Sequence, residues 1–341
     1  MQSTFVDACW GRAVDHTPVW FMRQAGRYLP SYRKLRSEKG ILEIAKDPKL
    51  ASDVTVDPVK QLGVDAAVMF ADIMLPLEGI GVKFRIEENV GPVIENPIRT
   101  RADVESLGEF DPEKHVRHVL DTIAMAVGKL DGVPLVGFSG APFTLASYLI
   151  EGQPSREFQR TKSMMYKDPD TWNLLMSRLT KLVVGYLRAQ IGSGVEAVQL
   201  FDSWVGCLSP QDYDSYVKGH TAEIFSGVKG RVPAIHFCAN SSSLVERFAE
   251  TGCEVVSVDW RVPIETVWGR TGGKKAVQGN LDPAVAAAGG KTMESGVSDI
   301  LGRASGRRGH IFNLGHGVLR ETPPENLRRI VEMVQGNGRA A

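Results

Sequence analysis

The sequence predicts a single α/β domain over residues 1–341, a (β/α)8 TIM barrel of somewhat distorted form with a small hairpin inserted after its second strand. Three observations predict it. Short apolar runs bounded by turn residues recur eight times along the chain. Helical patterns fill several of the gaps, and no internal repeat or low-complexity linker divides the chain. Strands alternating with helices imply right-handed βαβ units and a parallel sheet, and eight such units close into a barrel.

The predicted strands are, in order, Val19–Met22, Ala66–Phe70, Pro134–Phe138, Ala197–Phe201, Ala234–Phe237, Val255–Val258, Lys275–Gln278 and His310–Leu314. Each has the length and the β-branched or aromatic content of a buried strand. Helical patterns cover His115–Leu130, Pro169–Ile191, Asp212–Val228, Ser242–Glu250 and Pro324–Val334. The last opens on Thr322-Pro-Pro-Glu325, a Ser/Thr-x-x-Glu cap with proline in the first turn. Residues 73–133 are too long for one crossover. Within them Gly81–Glu87 and Pro92–Asn96, joined by Glu88-Asn-Val-Gly91, read as a hairpin. An open doubly wound sheet is the alternative, weakened because no strand leads into a G-x-G-x-x-G turn.

Forty Lys+Arg balance forty Asp+Glu, so the chain lacks the basic footprint of a nucleic-acid binder. The positive partners of any anionic ligand must therefore be local. Cys9, Cys207, Cys238 and Cys253 show no CxxC pair and no framework spacing, which reads as a reduced, cytoplasmic chain. Residues 1–15 carry no leader pattern, and no apolar run approaches the roughly 18 residues of a membrane span.

Barrel active sites sit at the C-terminal ends of the strands. Just past the eight runs stand Arg23-Gln24, Asp72, Ser139, Asp202-Ser203, His236 with Cys238, Asp259, Asn280 and His316. Polar residues gather where strands meet water, so any one of them has a bland explanation; together they read as a functional mouth. The first loop is the most informative. It places Arg23, Arg27, Arg33 and Arg36 beyond strand 1, with no acid between residues 23 and 36. Arginine's planar fork grips carboxylates and phosphates in pairs. Gly26 is read as allowing close backbone approach, and Pro30 as ending any helical turn. Asp72 lies in Val68-Met-Phe-Ala-Asp-Ile-Met-Leu-Pro76, an acid in apolar surroundings that needs partners. Arginines at the rim and one acid inside suit a substrate with outer carboxylates and inner N–H donors.

At these residues the chain resembles the uroporphyrinogen decarboxylase family. Pro18-Val-Trp-Phe-Met-Arg-Gln-Ala-Gly-Arg-Tyr-Leu-Pro30 is similar to that family's first signature, and Gly137-Phe-Ser-Gly-Ala-Pro-Phe-Thr-Leu-Ala-Ser-Tyr-Leu-Ile-Glu-Gly152 to its second. Phe70-Ala-Asp-Ile73, Leu200-Phe-Asp-Ser203 and Phe312-Asn-Leu-Gly-His-Gly317 match further on, in the expected order. Ser31 and Phe143 depart from the pattern, where an acid and Trp are common, and neither falls on a matched functional position. The resemblance implies a cytoplasmic homodimer that removes the four acetate carboxyls of uroporphyrinogen III, giving coproporphyrinogen III and CO2 in haem biosynthesis, with no cofactor or metal. It carries substrate binding to Arg23, Gln24, Ala25, Gly26, Arg27, Asp72, Tyr148, Ser203 and His316. Asp72 is expected to stabilise the transition state, with Arg23 the other catalytic candidate. Phe21, Met22, Ile73 and Met74 are candidates to pack against the macrocycle.

Two other readings compete. His236-Phe-Cys238 puts His and Cys on one strand face, a spacing able to bind zinc. Related barrel proteins, the corrinoid-linked methyltransferases, carry such a His-x-Cys with a further Cys near the last strand. Here Asn313-Leu-Gly-His-Gly317 holds none, and Cys253 precedes its strand. His236 and Cys238 are therefore expected to be satisfied core or rim residues. The second competitor is a tetrapyrrole or anion carrier without chemistry, against which Asp72 and Tyr148 argue.

Overall fold

The computed structural model describes residues 3–87, 90–240 and 242–336. The strands, numbered in chain order, are β1 (Ala67–Val68), β2 (Phe84–Glu87), β3 (Gly91–Ile94), β4 (Leu135–Gly140), β5 (Ala197–Phe201), β6 (Ala234–Cys238), β7 (Val255–Val258), β8 (Ala276–Gln278) and β9 (His310–Ile311). Seven form one parallel curled sheet in the order β1-β4-β5-β6-β7-β8-β9, with helices between them. This is the TIM-barrel-like α/β architecture the alternation predicts. β4, β6 and β7 are buried along their whole length, as expected of strands packed on both faces.

The expected first strand, Val19–Met22, shrinks to a single bridge, Val19 to Phe312. It still links the sheet's two edges. Phe312 N–H donates to Pro18 O (2.8 Å) on one side, and Asp65 N–H donates to Val19 O (2.8 Å) on the other. Beyond Trp20 the ladder stops because side chains take over the backbone donors. Phe21 N–H donates to Gln24 Oε1 (3.1 Å) and Met22 N–H to Asn313 Oδ1 (3.2 Å). A local apolar run cannot reveal such distant substitutes.

The hairpin is where the excess length of residues 73–133 placed it: β2 and β3 pair antiparallel, Phe84 opposite Ile94. Glu88 and Asn89 of its expected turn lie outside the described residues, as do the ends of the 1–341 span, residues 1–2 and 337–341. Two expected helices are interrupted. The pattern at His115–Leu130 becomes the helix Arg117–Val127, set off from a short helix Pro112–His115 before it, and the pattern at Asp212–Val228 divides into Pro210–Tyr216 and Lys218–Val228. Both breaks fall on a valine, Val116 (φ −131°) and Val217 (φ −130°), a β-branched type stiff against the preceding helical turn. The pattern at Ser242–Glu250 becomes helical only from Val245.

Pro30 does not end a helical turn; it opens the helix Pro30–Glu38. Proline's missing N–H is one of the donors a helix start leaves unpaired anyway, so its fixed φ favours the first position. The last helix, Pro324–Gly336, begins too late for Thr322 to cap it, and Thr322 Oγ1 is buried without a hydrogen-bond partner among the described residues. Inside the barrel, Gln278 ties distant elements together. Its Oε1 accepts from Trp20 Nε1 (2.9 Å), and its Nε2 donates to Gln199 Oε1 (2.9 Å) and Ser257 Oγ (2.9 Å). This polar plug fills the barrel beneath the site.

Candidate active site

A cavity of about 380 Å³ opens at the C-terminal ends of the strands. Its floor is aromatic. Phe138 on β4 meets Phe201 on β5 edge-on at 5.4 Å, Phe201 meets Phe237 on β6 at 5.7 Å, and Phe237 meets His316 at 5.9 Å. Met22, Val68, Met69 and Ile73 add apolar wall. Phe21 and Met74, expected to pack against the substrate, are instead fully buried outside the cavity.

Polar groups enter from several loops. Arg23, Ala25, Gly26 and Arg27 come from the loop after Val19, and Asp72 from the loop after β1. Tyr148 comes from the helix Pro142–Glu151, Ser203 from the end of β5, and His316 with Arg320 from the segment after β9. Arg23 sits in the left-handed region (φ 60°), a conformation that costs a non-glycine residue of order 1 kcal/mol or more and turns the chain into the mouth. Two glycines make room for it. A Cβ on Gly26 would fall 2.8 Å from Arg23 O, and one on Gly317 would fall 2.5 Å from Arg23 Cδ.

Gln24 is placed outside the lining. Its Oε1 accepts from Phe21 N–H, its Nε2 donates to Ala66 O (3.1 Å), and its own carbonyl accepts from Tyr28 Oη (2.6 Å). It holds the arginine loop in shape. Arg33 and Arg36 also leave the mouth: Arg33 donates to the carbonyls of Arg27 and Tyr28, and Arg36 to that of Lys39. Charge count alone could not separate these arginines from Arg23 and Arg27.

Asp72 is enclosed by protein except toward the cavity. Burial raises its carboxyl above the usual carboxylate range, opposed by the Met74 N–H that donates to Oδ1 (2.9 Å) and by the Arg23 charge. Tyr148 is held neutral, first by burial and then by the charge of Asp72, with Arg23 opposing. Burial, reinforced by Arg23, lowers the His316 imidazole to about 4, so it is neutral at pH 7. Its Nδ1 accepts from Gly317 N–H (2.8 Å), which assigns the proton to Nε2. His316 is thus a neutral donor rather than a cation.

The remaining strand-end residues face elsewhere. Ser139, Asp202, His236, Cys238, Asp259 and Asn280 are all buried and none lines the cavity. Asn280 Nδ2 donates to the carbonyls of Asp259 (2.8 Å) and Val262 (2.7 Å), a structural tie. His236 stacks against Phe248 (4.3 Å) and Phe225 (5.3 Å), which belong to the surrounding helices. The alternation on β6 therefore turns Phe237 inward and His236 with Cys238 outward. His236 is also not satisfied: neither ring nitrogen has a hydrogen-bond partner among the described residues. A zinc site at the mouth would need His236 and Cys238 on the other face. Among the described residues no group of three or more His, Cys, Asp or Glu side chains is arranged to hold a metal ion.

Sequence reasoning missed the phenylalanine floor and Arg320. The floor had a signal, because β4, β5 and β6 each carry a phenylalanine near their C-terminal end. Arg320 had none beyond lying four residues after His316.

The sequence model of the uroporphyrinogen decarboxylase (URO-D) family matches residues 1–336. The chain belongs to the uroporphyrinogen decarboxylase family. A uroporphyrinogen decarboxylase of Chloroflexus aurantiacus is 48% identical over 340 residues, covering 98% of this chain and 96% of that one. One from Streptomyces coelicolor is 49% identical over 333 residues, covering 97% and 94%. Among solved structures, a methyltransferase from Methanosarcina mazei superposes with a TM-score of 0.81 over 97% of each chain, at 17% identity. That likeness shows the barrel fold the family shares and carries no chemistry across.

Proposed function

We propose that this chain is a uroporphyrinogen decarboxylase, a carboxy-lyase that converts uroporphyrinogen III to coproporphyrinogen III and four CO2. The observation that carries the reading is one half-buried carboxylate, Asp72, inside an aromatic-floored cavity that also holds Arg23 and Arg27. Its counterpart is a macrocycle with inward pyrrole N–H groups and outward carboxylates. The cavity's position at the strand ends and the full-length family match both support it.

The chemistry follows from the substrate's own ring. Loss of CO2 from a pyrrole acetate leaves an electron pair that needs a sink. Protonation of the electron-rich pyrrole on carbon makes the ring that sink, so the reaction needs no cofactor. The C–C bond then breaks, its electron pair neutralises the ring, and CO2 departs. Protonation of the exocyclic carbon and loss of the ring proton leave a methyl group. Each round exchanges one carboxylate and one proton for CO2. Asp72, fixed by Met74 N–H before substrate arrives, stabilises the positive charge through the pyrrole N–H groups. Arg23 and Arg27 grip acetate and propionate carboxylates, and Arg23 supports the reacting one. Tyr148, Ser203 and the Nε2–H of His316 supply neutral hydrogen bonds, while Ala25 and Gly26 give the substrate backbone-close contact.

In this reading the chain acts as one domain, as a homodimer, in the cytoplasm. No helix among the described residues is long and apolar enough to cross a membrane. Anaerobic incubation with uroporphyrinogen III, with products resolved by carboxyl number, tests the function. Hepta- to tetracarboxylate products are expected; their absence would remove the assignment.

A further inference from the structure

We infer that Thr144 and Asp202 are positioning residues, joined in one buried tie that holds two of the pocket's hydroxyl donors, Tyr148 and Ser203, in register with each other. The inference deepens the decarboxylase reading and rests on it for the roles of those hydroxyls.

Thr144 is fully buried in the helix Pro142–Glu151, outside the cavity lining. Its Oγ1 donates to Asp202 Oδ1 (3.1 Å) and accepts from Trp204 N–H (3.4 Å). One hydroxyl thus clamps the residues on either side of Ser203. The same helix presents Tyr148 one turn later, at i+4, on the same face. The Tyr148 ring stacks on Trp204 at 3.9 Å and 35°. Phe158 backs Trp204 at 5.2 Å. Asp202 is anchored in turn to the sheet, its N–H donating to Phe237 O (2.8 Å) beside the aromatic floor. Helix, strand end and floor are therefore locked through Thr144.

The cost of this arrangement is visible. Asp202 is fully buried, and its Oδ2 has no hydrogen-bond partner among the described residues, with His236 Nε2 3.7 Å away. A buried carboxylate with half its acceptors idle is a poor source of stability. Its hydrogen bond to Thr144 fixes orientation, which is what a site gripping a four-ring substrate in repeated rounds requires.

The test compares Thr144→Val, which keeps shape and removes the hydroxyl, with Thr144→Ser, which keeps the hydroxyl. Both are made in the wild-type background and in Tyr148→Phe/Ser203→Ala, where nothing is left to position. Thermal melts check folding. On uroporphyrinogen III, Thr144→Val should lose about 10- to 100-fold in kcat/KM, carried mainly by kcat. Thr144→Ser should stay within about twofold of wild type, and Thr144→Val in the double-hydroxyl background should cost no more than about twofold further. An equal loss in both backgrounds, or full activity in folded Thr144→Val, overturns the inference. A second readout needs no turnover. The near-ultraviolet circular dichroism band abolished by Trp204→Phe should weaken in Thr144→Val and persist in Thr144→Ser; an unchanged band in Thr144→Val overturns the tie. An inactive wild type would remove the decarboxylase reading, and the dichroism would still decide the tie.

Discussion

Replacing Asp72 by Asn probes the centre of the mechanism while leaving its shape intact. In Asp72→Asn the Oδ1 that accepts from Met74 N–H is retained, and the second oxygen becomes an NH2 donor. The charge disappears, and a donor faces the pyrrole N–H groups. A unit charge about 4 Å from the developing ring charge, at an effective dielectric of roughly 20, is worth about 4 kcal/mol. Losing a preorganised partner of this kind typically costs about 10²- to 10³-fold in kcat, or about 3–4 kcal/mol. Arg23 and Arg27, which line the cavity and are proposed to grip the substrate carboxylates, are unchanged in this variant, so KM should move by only a few-fold. Stability should move the other way. Because burial raises the Asp72 carboxyl, its charged form costs the folded state stability above that raised value, and the cost fades as pH falls through it. Asp72→Asn should therefore melt no lower than wild type at pH 7, with the gap shrinking in acid. The assay is anaerobic turnover of uroporphyrinogen III by product carboxyl number, paired with thermal melts across pH. Near-normal kcat in a folded variant, or a loss confined to KM, would refute the electrostatic role.

Further outcomes follow from the same site and its supports. Burial, then Arg23, lowers His316 from 6.5 to about 4, so as pH falls the unfolded chain takes up that proton first and the folded state loses stability across this window. Denaturant curves should show the gap between wild type and His316→Gln moving in the variant's favour from pH 6.5 to 4; a constant gap would contradict the neutral imidazole. Arg320 lines the cavity yet is exposed, so Arg320→Gln should raise KM several-fold, more at low salt than at high, with a smaller effect on kcat. A salt-independent change, or none, would take Arg320 out of carboxylate binding. Gln190, fully buried, accepts from Phe138 N–H (2.9 Å) and donates to Phe138 O (2.9 Å), standing in for a missing strand partner. Gln190→Leu orphans both groups and should cost about 2–5 kcal/mol in urea unfolding, and a loss below about 1 kcal/mol would mean the strand repairs itself.

Much of this was legible along the chain. Asp72 stood out as an acid in an apolar run, and Arg23 and Arg27 as charges without local counter-charges. The hairpin announced itself by the excess length of residues 73–133. Tyr148, inside an apolar helix, is legible only through the family's signatures, since nothing in its local pattern separates it from core residues; Ser203 stands among the strand-end residues, and only those signatures single it out from Asp202 beside it.

What the chain could not announce is which way a strand-end side chain points. In a parallel barrel both faces of each strand are buried, so the alternation of apolar and polar residues that would reveal inside from outside is erased. Hence His236, Asp202 and Ser139 looked equivalent to Ser203 and His316, although only the last two line the cavity. The same holds for the arginines of the first loop. Arg33 and Arg36 differ from Arg23 only in being drawn onto backbone carbonyls once the helix Pro30–Glu38 forms. Strand spacing and signature residues place the chemistry at one end of a barrel. Register, helix packing and backbone ties then select the few side chains that reach the cavity, because those depend on contacts between residues far apart in sequence.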